Sequence, residues 1–291
     1  MRCACVDIGT NTTRLLVAER DGDRLRKVVA VRRFLRLVPG DDGAIPTEAV
    51  AELAAIVAAH VRLARDHGVH EARVVGTAAI RGAGNRDDLC AAVHRAAGVH
   101  VEILTGEQEA ALAFAGALAT LAPPPAGPIG VIDVGGGSSE LVIGTAQDGV
   151  AWWTSLAIGS GTLAERYLRS DPPALDELAA VRAEIDVALA DVHPPAAEMV
   201  LAVGGSATTV AAATGGELAP ATIARVLSVL IAEPAAEAAK RLGLHVERVR
   251  LLPVGLLVLE AAWETFGRVP LHLALGGLRE GVVLRAFDGR S

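Results

Sequence analysis

An eight-residue pattern that occurs twice constrains the fold of this chain more than any other feature. Residues 6–13 and residues 132–139 both read apolar, Asp, apolar, Gly, small, small, hydroxyl, hydroxyl. Each copy follows one predicted strand and precedes another, and the aspartates at positions 7 and 133 lie 126 positions apart. Such a match predicts a duplicated domain rather than two unrelated hairpin turns. Two similar α/β halves facing each other would place the two Asp-Gly loops across one cleft.

The length of the chain agrees with a duplication. Its 291 residues exceed the usual size of one domain, and 52% of them are hydrophobic while only 3% are aromatic. We therefore expect two domains whose cores are built mainly from Ala, Val, Leu and Ile. The proline-rich residues 123–128 are the best linker candidate, which places the domains at residues 1–123 and 124–291. The last helix is allowed to pack back on the first domain.

The net charge and the N-terminal composition limit which partners and which cellular compartment are expected. The formal net charge is −7, from 27 basic and 34 acidic residues, which argues against nucleic acid and against an anionic membrane as partners. Asp7 and Arg14 interrupt the apolar N-terminal stretch, so it does not have the pattern of a secretory leader. Three cysteines form no disulfide framework. We expect a cytoplasmic protein.

Local patterns predict the elements around the two motifs. Alternation predicts strands over residues 2–8, 15–19, 25–31, 33–38, 129–134, 140–144, 150–157 and 199–203. Apolar spacing predicts helices over residues 46–67, 106–119, 221–242 and 254–265, with Thr47 as the cap of the first. Residues 81–85 and 204–206 are predicted to form glycine-rich turns.

The repeated loops have the composition of phosphate-binding turns. Small residues leave backbone N–H groups unobstructed, and such a concavity binds phosphate oxygens. An aspartate at the end of the preceding strand can hold Mg²⁺ beside the phosphate. Two such loops, each with its own aspartate, predict a clamp on a phosphate chain. The run Gly204-Gly205-Ser206 adds a third candidate, although close packing of a strand on a helix explains it equally well.

Six segments follow one another in a recognisable order and spacing: residues 6–16, 76–85, 103–110, 131–141, 203–209 and 277–281. In these segments the chain resembles the exopolyphosphatase and guanosine-pentaphosphate phosphohydrolase (Ppx/GppA) family of the actin-like ATPase superfamily. The segments around residues 105–110 and 133–140 are the most specific.

The resemblance implies an α/β fold of two actin-like (ribonuclease H-like) domains, with mixed sheets around an interdomain cleft. It implies a hydrolase that releases the terminal phosphate from a linear phosphoanhydride with Mg²⁺ or another divalent cation. Inorganic polyphosphate is the first substrate candidate, guanosine pentaphosphate is the alternative, and a homodimer is allowed. Longer family members carry a further helical region of HD-like type after these segments, which leads us to expect that short polyphosphate chains are preferred.

The resemblance also implies roles for individual residues. Glu109 matches the glutamate that activates water, with Glu107 as the alternative, and Arg81 is the best arginine to stabilise charge on the terminal phosphate. Glu140 matches a catalytic and metal-binding carboxylate. Asp7 and Asp133 are the other implied metal ligands.

The implied phosphate cradle draws on small and polar residues from all the motifs. Its members are Gly9, Thr10, Asn11, Asn85, Gly135, Gly136, Gly137, Ser138, Gly159, Ser160, Gly204, Gly205 and Ser206. Arg32, Arg33 and Arg36 form a small basic cluster, which either guides the polyanion or is an ordinary solvated strand face.

Two alternatives of other classes stay open. A small-molecule kinase of the same superfamily would share the Asp-Gly loops, and phosphate release without an acceptor would separate it from a hydrolase. A non-catalytic sensor would bind a polyphosphorylated ligand and report it to a partner. The sensor stays open because residues 248–259 lack the Arg-Ala-Asp run that is usual in the family.

Overall fold

The chain forms two compact units, each an α/β arrangement around a five-stranded sheet. The computed structural model describes residues 1–22, 24–121, 123–216 and 218–289, and positions 23, 122, 217, 290 and 291 lie outside the described residues. The first unit is Met1–Thr120 with Gly276–Ser291, and the second is Leu121–Leu275. The predicted α/β class with two mixed sheets is confirmed.

The sheet of the first unit mixes antiparallel and parallel strands. Its strands are Arg2–Ile8 (β1), Thr12–Asp21 (β2), Arg24–Phe34 (β3), Ala72–Gly76 (β4) and Val101–Ile103 (β5), in the order β3-β2-β1-β4-β5. β1, β4 and β5 are parallel. Their carboxyl ends therefore meet at one edge of the sheet, which is where open α/β sheets bind ligands.

Helices cover both faces of this sheet. They are Thr47–Asp66 (α1), Ala78–Gly82 (α2), Arg86–Ala97 (α3), Gly106–Leu118 (α4) and, from the end of the chain, Leu278–Phe287 (α11). α1 and α3 pack on the face that carries Val6 and Ile8. The opposite face carries Cys5 and packs against Val282 and Val283 of α11. Asp7 follows Cys5 with the period of two of a strand, so it shares the α11 face.

The second unit repeats this plan. Its strands are Ile129–Val134 (β6), Ser139–Thr145 (β7), Gly149–Leu156 (β8), Met199–Val203 (β9) and Leu271–Leu273 (β10). Their order is β10-β9-β6-β7-β8, which is the order of the first sheet read from its other end. β6 corresponds to β1 and β9 to β4 in direction and pairing. The topology thus confirms the duplication predicted from the two motifs.

The helices of the second unit form a layer around one long helix. They are Ser160–Tyr167 (α5), Leu175–Leu189 (α6), Gly204–Thr214 (α7), Pro220–Ala232 (α8), Ala235–Leu242 (α9) and Val246–Thr265 (α10). α10 packs against each of the other five, and most of its side chains are buried. None of the helices in the described part of the chain combines the length and hydropathy needed to cross a bilayer.

Two helices of the first unit cross in main-chain contact. A Cβ at Gly116 of α4 would lie 1.9 Å from the carbonyl oxygen of Gly277, and one at Gly281 of α11 would lie 2.0 Å from that of Leu112. Only glycine fits at such distances. Because α11 also packs on β1, this crossing fixes α4 relative to the strand that carries Asp7.

Several predicted boundaries in the first unit are wrong. The two strands predicted over residues 25–31 and 33–38 are the single edge strand β3, because Arg32 and Arg33 stay paired with β2. Charged side chains are tolerated on an edge strand. Pro46, not Thr47, is the N-cap of α1. Arg81 lies in the short helix α2 and not in a loop.

The second unit differs from prediction at its helices. Residues 221–242 form two helices, because Pro234 interrupts the hydrogen-bond ladder between α8 and α9. α10 begins at Val246 and continues through Pro253. The predicted turn at Gly204 is the first turn of α7, and β10 was not predicted.

His60 gives the folded first unit a pH dependence. It is a buried residue of α1, and its Nε2 makes no hydrogen bond within the described residues. Burial lowers the pKa of His60, Arg33 lowers it further, and a hydrogen bond to the main chain of Thr13 opposes the shift. The unfolded chain therefore takes up a proton at a higher pH than the folded one, so stability falls as pH drops below about 6.5.

We expect His60→Gln to flatten this loss of stability, because glutamine retains an N–H donor for Thr13 but does not titrate. Urea denaturation between pH 8 and pH 5 would measure it. The wild-type protein should lose more free energy of unfolding over that range than the variant. The difference in slope should correspond to at most about one proton taken up on unfolding. Parallel pH profiles for the two proteins would contradict the assignment.

Candidate active site

The two repeated loops have the same internal hydrogen bond. In the first loop (residues 9–12) the amide of Gly9 donates to the carbonyl of Thr12 over 3.1 Å, and in the second loop (residues 135–138) Gly135 donates to Ser138 over 3.0 Å. Each loop connects two antiparallel strands, and the motif aspartate is the penultimate residue of the first strand. The sequence match is therefore also a match of backbone geometry.

Neighbouring segments donate hydrogen bonds to the carbonyl groups of both loops. Leu35 and Leu37 donate to the carbonyls of Asn11 and Thr10 in the first loop. In the second loop, amides at the start of α5 donate to the carbonyls of Gly135 and Gly136. Within the described residues, the amides of Thr10, Asn11, Gly136 and Gly137 donate no hydrogen bond. These are the groups that an anion would use.

Asn11 adds a side-chain donor to the first loop. Its Nδ2 atom is buried and has no hydrogen-bond partner among the described residues. A buried amide donor without a partner is costly unless a ligand or water satisfies it. The predicted assignment of Asn11 to the phosphate cradle fits this observation.

Asp7 lies at the end of β1, partly buried and surrounded by charges of both signs. Its direct partner across β1 and β2 is Arg14. Burial raises the pKa of Asp7, the cations of Arg14 and Arg279 oppose the rise, and Glu280 adds to it. A bound divalent cation would favour the ionised form of this carboxyl.

Asp133 and Glu140 are direct neighbours in the second unit. They are paired positions of the antiparallel strands β6 and β7, so their side chains share one face of the sheet. Glu140 is only 6% exposed. Its Oε1 accepts hydrogen bonds from the hydroxyls of Ser138 and Ser155, both over 2.8 Å. Glu140 is therefore not the solvated strand residue that its position alone would have suggested.

Arg81 and Glu109 come together in the first unit. They follow the parallel strands β4 and β5, and Nη1 of Arg81 lies 3.3 Å from Oε1 of Glu109. Nη1 also donates to the carbonyl of Leu104 over 2.7 Å, while Nε and Nη2 of the guanidinium carry further N–H donors. Glu109 is 4% exposed. A buried carboxylate beside one arginine fits a site in which both groups act on one substrate.

A capping box sets the position of Glu109. The hydroxyl of Thr105 accepts from the amide of Gln108 over 3.2 Å, and the Gln108 side chain accepts from the amide of Thr105 over 2.9 Å. This start of α4 turns Glu109 into the unit and leaves Glu107 exposed. The structure thus brings the predicted base, and not its alternative, to Arg81.

The N-terminus of α7 lies beside Asp133. Gly204 has φ +86, and a Cβ there would lie 2.5 Å from Oδ1 of Asp133. Nη1 of Arg248 donates to the carbonyl of Gly205 over 2.7 Å. The positive end of the helix favours an anion near the first turn. Close packing also accounts for these small residues, since a Cβ at Gly255 of α10 would lie 2.0 Å from Oγ of Ser206. The assignment of Gly204, Gly205 and Ser206 to the phosphate cradle therefore stays a prediction.

Several predicted cradle residues are used within the fold, among them Asn85, Ser160 and Gly159. The side chain of Asn85 makes two hydrogen bonds of 2.9 Å with the main chain of Ile45. The amide and hydroxyl of Ser160 both donate to the carbonyl of Gly135. Gly159 lies in contact with the main chain of Gly136. Their observed contacts shape the neighbouring loops.

The residues present fit a Mg²⁺ ion that also binds phosphate. Among the described residues no group of three or more His, Cys, Asp or Glu side chains could hold a metal by itself. Mg²⁺ commonly binds one or two carboxylates and completes its octahedron with substrate phosphates and water. Asp133 with Glu140 offers such a pair in the second unit, and Asp7 a single carboxylate in the first.

Sequence reasoning missed Ser155 and the capping box. The pattern Thr-x-x-Gln at 105–108 is a recognised start of a helix and could have been found. Ser155 could not, because a register shift between Ile143 and Gly144 places Ser155, and not Thr154, opposite Glu140.

Proteins of known name are similar to this chain over most or all of its length. The chain is 29% identical to exopolyphosphatase 1 of Mycobacterium leprae, with 100% of this chain and 91% of that protein covered. It is 35% identical to exopolyphosphatase 2 of Mycobacterium tuberculosis over 72% of this chain and 70% of that one. The crystal structure of the Aquifex aeolicus Ppx/GppA family member is 27% identical, with a TM-score of 0.81 and coverage of 100% and 99%.

The family assignment rests on these relatives together with a family-wide match. The model of the Ppx/GppA phosphatase family matches residues 16–289, a range that begins after the first Asp-Gly loop and includes Arg81, Glu109 and the second loop. The resemblance predicted from six short segments is thereby confirmed, and with it the actin-like fold. This chain, with its paired Asp-Gly loops and its Arg81–Glu109 pair, belongs to the Ppx/GppA phosphatase family.

Proposed function

We propose that this protein is a Mg²⁺-dependent hydrolase that releases the terminal phosphate from inorganic polyphosphate, with short chains preferred. Membership of a phosphatase family supports the reaction type. The names of two relatives, exopolyphosphatases 1 and 2, support the substrate class.

The observation that carries the proposal is the buried Glu109 beside Arg81. Glu109 orients a water molecule, whose oxygen forms a bond to the terminal phosphorus while one of its protons passes to the carboxylate. The bond from that phosphorus to the bridging oxygen breaks, and its electron pair stays with the shortened chain. The N–H groups of Arg81 that are not used by Leu104 and Glu109 stabilise charge on the terminal phosphoryl group.

The loops supply the anion-binding groups. Free amides in the first and second loops, with the Asn11 side chain, bind non-bridging oxygens of the phosphate chain. In the second unit Asp133 and Glu140 would hold a divalent cation, and in the first unit Asp7 would offer a further carboxylate ligand. Such a cation would neutralise phosphate charge. These interactions use the backbone and the phosphate chain, so they need no base or sugar. The preference for polyphosphate over guanosine pentaphosphate is supported by the names of the two exopolyphosphatase relatives.

One assay tests the proposal and its alternatives together. Phosphate release is measured from short polyphosphate, long polyphosphate, guanosine pentaphosphate and ATP, each with Mg²⁺ and again after chelation. We expect the highest kcat/KM for short polyphosphate and loss of release on chelation. If the protein binds these compounds but releases no phosphate from any of them, the sensor is favoured. If phosphate is transferred only when an acceptor is added, a kinase is favoured. Phosphate release without metal would reject the role of the cation.

A further inference from the structure

A row of three side chains crosses the sheet of the second unit. Asp133 of β6 is paired with Glu140 of β7, and Glu140 is paired with Ser155 of β8. Directly opposed residues on neighbouring strands point to the same face. Ser155 is thus the third member of a row whose first two members are the proposed cation ligands.

The contact between the last two members is a direct hydrogen bond. The Ser155 hydroxyl donates to Oε1 of Glu140 over 2.8 Å, and Ser138 donates to the same atom over 2.8 Å. A carboxylate oxygen has two lone pairs in its plane, so two hydroxyl donors use the acceptor capacity of Oε1. Binding of a cation or water by Glu140 then falls to Oε2.

The corresponding row in the first unit has a different chemistry. There Asp7 is paired with Arg14, and Arg14 with Arg32. The duplicated sheet therefore carries an aspartate at the first position of both rows, but only the second unit has a carboxylate followed by a hydroxyl. The hydroxyl occurs only in the row that contains a buried glutamate. Since the first unit folds in the same way without it, the hydroxyl is not a general requirement of this fold.

We propose that Ser155 is a positioning residue: its hydrogen bond, with that of Ser138, fixes the Glu140 carboxylate so that Oε2 is presented to the divalent cation. Ser155 acts through Glu140 and touches neither cation nor phosphate. This inference rests on the proposed function, because it takes Glu140 to be a cation ligand. Residues that orient metal ligands typically contribute ten- to a hundred-fold to metal affinity or activity, so about that loss is expected without the hydroxyl.

The test measures cation binding as well as turnover. Mn²⁺ binding to the purified full chain, with a non-hydrolysable polyphosphate analogue present, is followed by electron paramagnetic resonance. The Mg²⁺ concentration for half-maximal phosphate release is measured alongside it. We expect Ser155→Ala to weaken Mn²⁺ binding and raise the Mg²⁺ requirement by about ten-fold or more, with a smaller change in KM at saturating Mg²⁺. Ser155→Thr, which retains the hydroxyl, should restore both quantities to within a few-fold of wild type.

Thr154→Ala is the matched control. Thr154 is the neighbouring hydroxyl residue of β8, is paired with Leu141, and points to the other face. Its loss should leave both readouts unchanged. Wild-type Mn²⁺ binding in Ser155→Ala, or equal losses in the Ala and Thr variants, would overturn the inference.

Glu140→Gln separates this inference from the proposed function. If Glu140→Gln binds Mn²⁺ as the wild-type protein does, Glu140 is not a ligand and the proposed cation site fails. If Glu140→Gln loses binding while Ser155→Ala retains it, only the role of Ser155 fails. Melting temperatures of all variants show which are folded, and Ser155→Cys replaces the alanine variant if that one does not fold.

Discussion

Replacing Glu109 by glutamine is expected to lower kcat for phosphate release by about a hundred- to ten-thousand-fold, the usual contribution of a positioned general base. Glutamine has nearly the same shape but cannot accept a proton from water. Substrate binding should be retained, because Arg81 loses its carboxylate partner and keeps its charge for phosphate. The change should therefore fall on kcat and not on KM.

Glu107→Gln is the control for this prediction. Glu107 lies in the same first turn of α4 and is exposed, so the substitution makes the same change of charge outside the site. Kinetics on short polyphosphate and equilibrium binding of the same chain to each variant would measure the two effects. Full turnover in Glu109→Gln, or an equal loss in Glu107→Gln, would discard Glu109 as the base.

The second large effect is expected from Gly204→Ala. The residue has φ +86, and an added Cβ would lie 2.5 Å from Oδ1 of Asp133 and 3.0 Å from the carbonyl oxygen of Val134. Either the Asp133 carboxylate or the start of α7 has to move. Displacement of a catalytic group by about 1 Å commonly costs about a hundred-fold in rate, and we expect a loss of at least that size.

Gly215→Ala separates the displacement from the backbone strain. Gly215 follows the last residue of the same helix with φ +76, and no described atom beyond Gly215 and its two chain neighbours lies within 4 Å of the position of its Cβ. Both variants carry the strain of a positive φ, about 1–2 kcal/mol of unfolding free energy. Thermal denaturation should show destabilisation in both, and steady-state assays should show lost turnover only in Gly204→Ala. Equal activities in the two variants would mean that the contact with Asp133 is unimportant.

The duplicated sheets were predictable because their signal is local. The Asp-Gly loops connect adjacent strands, so the sequence of each loop is enough to predict a hairpin and the place of its aspartate. Glu109 was predictable from the resemblance alone, since only the structure shows that it is buried beside Arg81. The residues next to Glu109 and Arg81 in the sequence do not by themselves mark either one as part of an active site.

The remaining errors arise where distant parts of the chain decide the outcome. Because the helical spacing of apolar residues continues across Pro234, one helix was predicted where the structure has α8 and α9. Pro253 is retained inside α10, a helix that is buried along most of its length. The pairing of Ser155 with Glu140 depends on a register shift in the β7–β8 ladder, which the sequence does not mark. Asn85 bonds to Ile45, forty positions away.

Hydrolysis of short polyphosphate in ¹⁸O-labelled water tests the central claim most directly. Attack of water on the terminal phosphorus places one solvent oxygen in each released orthophosphate and leaves the bridging oxygen on the shortened chain. Mass spectrometry should therefore find the label in orthophosphate and none in the remaining polyphosphate. Unlabelled orthophosphate, or label in the shortened chain, would contradict an attack by water on the terminal phosphoryl group.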